Sequence, residues 1–237
     1  MSRPFRLVLA SASSARAEML HRAGIPFMTM VSDVDEEAVA AELGSPDPET
    51  LAGELARAKA LDVVATLLTD VDDAPEDHTG DHAGTAATPS QNEPALLVLG
   101  CDSVFEFDGE AHGKPGTADV ALKRWRAQAG GTGTLHTGHT VIEVPDAEGA
   151  LPDPTRQRRR TVSAQVSFAD ASEAEIQDYV ATGEPLGCAG GFTLEARGAA
   201  LVRRVEGDPN AVLGLSVLAL REMLNELGYS LTSVWAD

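Results

Sequence analysis

Short apolar runs alternate along the chain with segments in which apolar residues recur every three or four positions. The runs predict buried strands, and the recurring positions predict amphipathic helices. The predicted strands cover 5–10, 27–31, 96–99, 135–144 and 161–168. The predicted helices cover 17–23, 48–68, 118–127, 172–182 and 215–227. Strands that alternate with helices in this way are typical of an α/β fold.

An aspartate follows the predicted strand 96–99, which ends on a glycine. Ligands of open α/β sheets bind beyond the carboxyl ends of such strands, so Asp102 lies at a candidate binding edge. A carboxylate there indicates a metal ligand or a general base, because an unpaired buried charge is costly. An Asp-Gly turn at 108–109 predicts a hairpin that brings Lys114 back toward Asp102. Either residue alone is more often a turn cap or an exposed lysine.

A serine-rich loop follows the first predicted strand and opens the first predicted helix. Ser11 and Ser13 offer hydroxyl groups there, at the positive end of the helix dipole, which attracts anions. Arg16 lies in the first turn, where a cation opposes the dipole. The local pattern therefore leaves two interpretations of Arg16, either a solvated surface residue or a residue retained to bind a phosphate.

Four acidic residues lie within 33–37, after the second predicted strand. They form either a solvated helix start or a site for a hard cation. Glu36 or Glu37 could then face Asp102. Lys59 lies off the apolar stripe of the predicted helix 48–68, and a lysine in such a position is usually exposed.

The formal net charge of the chain is -19. Basic residues that neutralise phosphates dominate the affinity for DNA and RNA, so this charge argues against a nucleic-acid polymer as partner. A small anionic ligand remains compatible with it, because a few local cations and a divalent metal act at short range. The segment 69–94 is acidic and nearly free of large apolar residues, and it is predicted to be a disordered insertion.

The 237 residues are enough for one large domain with a sizeable core. We expect a single domain over 1–237 that carries the insertion and an exposed loop at 145–160, whose basic end faces solvent. No apolar run approaches the roughly 20 residues of a membrane span, and no secretory signal is visible, so we expect a cytoplasmic protein without membrane contact. Cys101 and Cys188 lack C-x-x-C spacing, which indicates buried thiols rather than a disulfide or a metal site.

A series of short motifs runs in order along nearly the whole chain outside the two loops. They are LASASSARAEML, VSDVDEE, LARAKA, LGCDSV, DGEAHGKP, HTGHTVI, GEPLGCAGGFTLE and GDPNAVLGLS. Together they resemble the Maf family of nucleoside triphosphate pyrophosphatases. The sequence contains no G-x-G-x-x-G fingerprint after a strand, no Walker A sequence and no G-x-S-x-G elbow.

The resemblance implies a Maf-like domain with a two-lobed mixed sheet, flanking helices and a central cleft. It also implies that a nucleoside triphosphate is hydrolysed between its α and β phosphates with the help of Mg²⁺ or Mn²⁺. Asp102 matches the family's catalytic acidic residue, and Asp102 and Glu36 are the expected metal ligands. The residues expected to bind the substrate are Ser11, Ser13, Arg16, Lys59, Lys114, Thr137 and Glu195. The resemblance leaves open whether the protein forms a homodimer.

Some departures from the family's usual pattern lie at positions that select the base. The sequence therefore does not decide between the family members that act on dTTP and UTP and those that act on CTP and methyl-GTP. The departures are Ser14, Ala15, Ser103, Gly131, Gly133, Cys188 and Glu195. The alternative function is a nucleotide-binding regulator of cell division or septum formation without significant catalysis. Asp102 and Glu36 favour catalysis, because a site that only binds an anion gains nothing from carboxylates unless they hold a metal.

Overall fold

A computed structural model describes residues 3–44, 46–69, 94–145 and 152–235 of the chain. Within these ranges, seven strands form one mixed sheet flanked by helices. The strands are β1 (Phe5–Ala10), β2 (Phe27–Thr29), β3 (Ala95–Phe107), β4 (Glu110–His112), β5 (Thr132–Glu143), β6 (Gln157–Phe168) and β7 (Val202–Glu206). The helices are α1 (Ser14–Arg22), α2 (Glu36–Glu42), α3 (Pro48–Thr69), α4 (Ala118–Gln128), α5 (Glu173–Ala181), α6 (Pro209–Val212) and α7 (Val217–Glu226). None of these helices is long and apolar enough to cross a membrane. The predicted α/β fold is confirmed.

The sheet has the strand order β2-β1-β3-β5-β6-β7, and β4 forms a hairpin with β3. β1 runs parallel to both of its neighbours, and the remaining pairs are antiparallel. Asp108 and Gly109 connect β3 to β4, and both have positive φ angles, of 52° and 79°. The predicted Asp-Gly hairpin is therefore confirmed.

β3 continues well past the predicted strand 96–99. It pairs with β1 only as far as Gly100, whereas β5 pairs with nearly its whole length. The antiparallel partner satisfies the backbone groups of β3 after β1 has ended, so the strand does not stop at the glycine. Asp102 consequently lies within β3, just past the end of β1, and not after the end of its own strand as predicted.

α3 packs closely on the sheet because two glycines lie beneath it. A Cβ atom on Gly100 would lie 2.1 Å from the carbonyl oxygen of Ala56, and one on Gly138 would lie 2.1 Å from that of Ala52. Any side chain at either position would push the helix off the sheet. The same helix face carries Lys59, which is only 8% exposed. The local expectation of a surface lysine is therefore wrong, because the sheet covers this face.

Four clusters of buried apolar residues pack on the sheet in the described part of the chain, and two of them are much larger than the others. One cluster packs α1 and α7 against β1 and the first half of β3. The other packs α4 and α5 against the second half of β3 and against β6. In the second cluster Phe168 makes edge-to-face contacts with Phe105 and Trp125, with ring centroids 5.8 and 5.3 Å apart. β3 and β5 therefore each contribute side chains to both cores.

The predicted exposed loop is shorter than expected. The predicted insertion 69–94 lies outside the described ranges except for its two end residues. Residues 146–151 of the predicted loop 145–160 also lie outside them. β6 already begins at Gln157, so the basic end of the predicted loop is part of a strand. Arg158 and Arg160 both pair with Glu226 on α7, at 3.3 and 2.7 Å. Pairing with β5 and these ion pairs hold the basic residues against the fold.

His139 is a buried polar residue of β5. Its Nε2 accepts a hydrogen bond of 2.8 Å from the backbone N–H of Ser216, and its Nδ1 lies 3.2 Å from the carbonyl oxygen of Arg160. Because a backbone N–H can only donate, Nε2 carries no proton and Nδ1–H donates to the carbonyl. Burial lowers the pKa of His139 to about 4. The ring is therefore neutral in the folded protein at physiological pH.

We expect His139 to make the fold sensitive to acid. The unfolded chain takes up the proton first, so the stability that the neutral ring contributes is complete above pH 6.5 and is lost as the pH falls toward 4. The loss amounts to roughly 3 kcal/mol of unfolding free energy. Urea unfolding of wild type and His139→Gln at pH 7 and pH 4.5 measures it, and the variant should show a flatter pH dependence. His21→Gln, at an exposed position, is the control, and equal pH dependence in all three proteins would contradict the assignment.

Candidate active site

The loop between β1 and α1 supplies one wall of the site. Ser13 caps α1, and its Oγ accepts a hydrogen bond from the backbone N–H of Arg16 at 3.4 Å. The Oγ of Ser11 accepts one from the backbone N–H of Ser13 at 3.2 Å. Both hydroxyl groups keep a proton that they can donate. The loop can therefore still offer hydrogen-bond donors to an anion.

Arg16 is buried, with 7% of its surface exposed. Its guanidinium donates from Nε to the carbonyl oxygen of Gly214 at 2.8 Å, and from its other two nitrogens to the Oγ atoms of Ser11 and Ser103 at 3.0 and 3.1 Å. The interpretation as a solvated surface residue is therefore wrong. A guanidinium has five N–H groups, so these three bonds to described residues leave two for a ligand.

Lys59 joins two carboxylates that come from different elements. Its Nζ lies 2.7 Å from Oε1 of Glu36, in the first turn of α2, and 2.8 Å from Oδ1 of Asp102, on β3. A nitrogen of Arg16 lies 3.9 Å from the same Asp102 oxygen. Burial raises the pKa of Glu36, but the hydrogen bond and charge of Lys59, with the charges of Lys114 and Arg16, outweigh it and hold that pKa below its usual value. Lys59 therefore compensates the charge of both carboxylates, and Arg16 adds to this at Asp102.

These residues line one cavity of about 490 Å³, a size that accommodates a nucleotide. The predicted site residues that line it are Ser11, Ser13, Arg16, Glu36, Lys59, Asp102, Lys114 and Glu195. Thr137 does not line it, because its side chain is fully buried and its hydroxyl donates to the carbonyl oxygen of Ala211 at 2.8 Å. The structure thus brings the predicted residues together around one cavity, except that Thr137 is buried behind the residues that line it.

A segment of short 3₁₀ turns between α5 and β7 forms a second wall, which includes Glu195. Its conformation depends on Glu184, whose Oε1 accepts hydrogen bonds from the Thr193 hydroxyl at 2.6 Å and from the Gly198 backbone N–H at 2.8 Å. Burial raises the pKa of Glu184, yet these hydrogen bonds hold it below the usual value. The sequence analysis missed Glu184 although it stands in the motif GEPLGCAGGFTLE, because its partners become neighbours only in the folded chain.

A third wall is apolar and was also missed. Val212, the last residue of α6, and Leu213 line the cavity together with Phe192 and Leu135. The turn before α6 is visible in the sequence, but nothing local indicates which surface it covers. An apolar wall beside a charged one suits a ligand with a flat ring at one end and phosphates at the other.

Both cysteines are free, as predicted. Cys101 is buried, and burial raises its pKa to about 12. Cys188 lines the cavity and is half-buried. Burial raises the pKa of Cys188, and the charges of Glu195 and Glu184 raise it further. Both thiols are thus protonated at neutral pH, which makes them poor nucleophiles.

The donor set of the cavity suits a hard cation that is shared with a ligand. Within the described ranges, no three His, Cys, Asp or Glu residues cluster as a complete metal site. Mg²⁺ usually takes only one or two carboxylates and completes its shell with water and substrate phosphates. Glu36 and Asp102 provide such a pair, and each has a second oxygen beyond the one bound to Lys59.

Comparison with known proteins finds one family model and several relatives that match nearly the whole chain. The model of the family described as Maf-like protein matches residues 6–227. A protein of Rhodococcus jostii is 43% identical over 97% of this chain and 96% of its own length. One of Mycobacterium ulcerans is 40% identical over 98% and 97%, and one of Synechococcus is 42% identical over 97% and 98%. Each of these relatives is named nucleoside triphosphate pyrophosphatase.

We expect Lys59→Met to destabilise the protein by about 3–5 kcal/mol at pH 7, because it leaves the buried Asp102 charge without its nearest cation. Urea unfolding measures this loss, and the double variant with Asp102→Asn should recover much of it. Arg22→Met removes the exposed pair with Glu18 and should cost less than about 1 kcal/mol. A Lys59→Met protein as stable as the Arg22→Met control would refute this account of the buried ammonium.

Proposed function

The chain belongs to the family of Maf-like proteins, and from this membership we propose that it is a nucleoside triphosphate pyrophosphatase. In the proposed reaction, water attacks the α phosphorus of a nucleoside triphosphate. The bond between the α phosphorus and the bridging oxygen to the β phosphorus breaks, and the products are the monophosphate and pyrophosphate.

The observation that carries this proposal is the convergence of opposite charges in one cavity. Arg16, Lys59 and Lys114 line it together with Glu36 and Asp102. Phosphoryl transfer requires an oriented nucleophile and positive charge near the leaving group, because negative charge accumulates there in the transition state. The cavity provides carboxylates for the first task and cations for the second.

Asp102 is the proposed base that orients the attacking water and takes up its proton. Lys59 and the guanidinium of Arg16 both approach its Oδ1. That contact fixes the direction of the carboxylate, so Oδ2 is the oxygen that faces the attacking water or a metal that would bind this water. A positioned acid–base group of this kind contributes about 10² to 10⁴ in rate.

Arg16 and Lys114 are the proposed ligands of the phosphates, with Ser11 and Ser13 as additional donors. The two remaining N–H groups of Arg16 are already oriented by its three bonds to described residues. A guanidinium held in this way loses little conformational entropy when it binds, which favours a tight contact with the transition state. The proposed role of Glu195 is a contact with the nucleoside, since an ionised carboxylate accepts hydrogen bonds from base or sugar donors.

Glu36 and Asp102 would hold the divalent metal, Mg²⁺ or Mn²⁺, beside the phosphates. The metal would supply charge to the phosphate oxygens and lower the pKa of a bound water. The alternative function, a nucleotide-binding regulator without catalysis, is not favoured. A pure anion binder gains nothing from two carboxylates in its site, and the relatives are named as enzymes.

We expect Asp102→Asn to lower the rate of pyrophosphate release by about 10² to 10⁴, because the base is lost while the shape of the side chain is kept. The assay uses a panel of nucleoside triphosphates with Mg²⁺ or Mn²⁺, which also identifies the preferred base. Asp178→Asn, an exposed carboxylate on α5, is the control and should match wild type. Equal rates for Asp102→Asn and wild type would rule out the catalytic assignment.

We expect a chelator to abolish turnover and added Mg²⁺ or Mn²⁺ to restore it. Glu36→Gln should raise the metal concentration needed for half-maximal activity by at least about tenfold, since one of two carboxylate ligands is lost. Glu37→Gln is the matched control, because this neighbour does not line the cavity. Full activity in the chelator, or the same metal requirement in both variants, would speak against Glu36 as a ligand.

A further inference from the structure

A closed ring of hydrogen bonds holds Arg16, and a fully buried residue completes it. Arg16 donates to the Oγ of Ser103 at 3.1 Å, and Ser103 Oγ lies 2.9 Å from Oγ1 of Thr137. Thr137 donates to the carbonyl oxygen of Ala211 at 2.8 Å, which also accepts from the backbone N–H of Gly214 at 2.9 Å. The carbonyl oxygen of Gly214 accepts from Nε of Arg16 at 2.8 Å. The ring therefore starts and ends on the guanidinium.

Each hydroxyl proton in this ring has only one possible direction. A carbonyl oxygen can only accept, so the single proton of Thr137 goes to Ala211. Ser103 must then donate to Thr137, and a guanidinium N–H must donate to Ser103. The direction of each hydrogen bond is thus determined by the guanidinium, which can only donate, and by the carbonyl of Ala211, which can only accept. A residue without a hydroxyl at position 137 breaks the ring.

The fold holds the corners of the ring in place. Ser103 and Thr137 are directly opposite each other on β3 and β5. Gly214 has a φ of +104°, and a Cβ atom there would lie 3.2 Å from Nε of Arg16. A side chain at this position would disturb the guanidinium, so the glycine is needed for the close approach. Val212, Leu213 and Gly214 all line the cavity, so the ring joins that wall to Arg16.

We propose that Thr137 is a positioning residue, which fixes the Arg16 guanidinium and the wall 212–214 relative to β3 without touching the ligand itself. The inference rests on the proposed function, because it takes Arg16 as a ligand of the phosphates. It replaces the direct substrate contact that the sequence suggested for Thr137. Without the hydroxyl, Ser103 loses the acceptor for its proton, and the carbonyl of Ala211 keeps only the backbone N–H of Gly214. The wall is then no longer tied to β5, Ser103 turns toward another acceptor, and Arg16 loses its orientation.

A set of variants at two buried threonines tests the proposal. Thr137→Val removes the hydroxyl at nearly constant volume, and Thr137→Ser keeps it. Thr140 is the matched control, because it is also fully buried on β5 and its Oγ1 has no hydrogen-bond partner in the described part of the chain. The measurements are the dissociation constant of inorganic tripolyphosphate, by calorimetry, and kcat/KM for pyrophosphate release.

Thr137→Val should weaken tripolyphosphate binding and lower kcat/KM by about tenfold or more, and Thr137→Ser should stay within about threefold of wild type. Thr140→Val should match wild type in both measurements. In an Arg16→Ala background, Thr137→Val should change tripolyphosphate binding by less than about twofold, because its effect passes through the missing guanidinium. A merely structural role would give the same penalty in both backgrounds.

The proposal is overturned if Thr137→Val behaves like Thr140→Val, or if its effect on tripolyphosphate binding persists in full without Arg16. Failure of wild type to bind tripolyphosphate would also overturn it. If wild type binds tripolyphosphate but releases no pyrophosphate from any nucleoside triphosphate, the proposed function fails while the binding cycle still decides the role of Thr137. Should Thr137→Val not fold, Ser103→Ala breaks the same ring at its partly exposed corner, and the same cycle with Arg16→Ala is decisive.

Discussion

The short distance between α3 and the sheet is the constraint on which the site depends. Gly100 and Gly138 let the helix backbone approach to a distance that no side chain would permit. Only at this distance does Lys59 reach Asp102 on β3 while it also contacts Glu36 on α2. A buried carboxylate is stable only with such a partner, so packing of backbone against backbone makes the charged centre possible.

The charge of the cavity differs from the charge of the whole chain. The sequence has a formal net charge of -19, yet three cations and three carboxylates line the cavity. The three cations are Arg16, Lys59 and Lys114, and the carboxylates are Glu36, Asp102 and Glu195. Close charges outweigh distant screened ones, so a triphosphate can bind to a strongly acidic protein. The charge that a ligand meets in this cavity is therefore set by the few residues that line it.

The walls of the cavity come from segments that are far apart in the chain and are held by buried polar contacts. The carboxylate of Glu184 orders the wall that carries Glu195. The ring through Thr137 joins the wall after α6 to Arg16. Buried networks in which every donor has an acceptor make a structure rigid, because any broken contact leaves an unpaired polar group. The geometry presented to a ligand is therefore largely formed before the ligand binds.

The sequence by itself determined the α/β class, most of the strands and helices, the hairpin at 108–109 and the membership in the Maf-like family, because local periodicity, turn chemistry and ordered motifs are properties of the chain. The capping box of Ser172 and Glu175 at the start of α5 is likewise a local pattern of the sequence. The burial of Lys59, the continuation of β3 through Asp102 and the place of Thr137 behind the wall were decided only by the tertiary structure. Each of these depends on which distant segment covers a given face, and periodicity reports that a face is apolar or polar without identifying its neighbour.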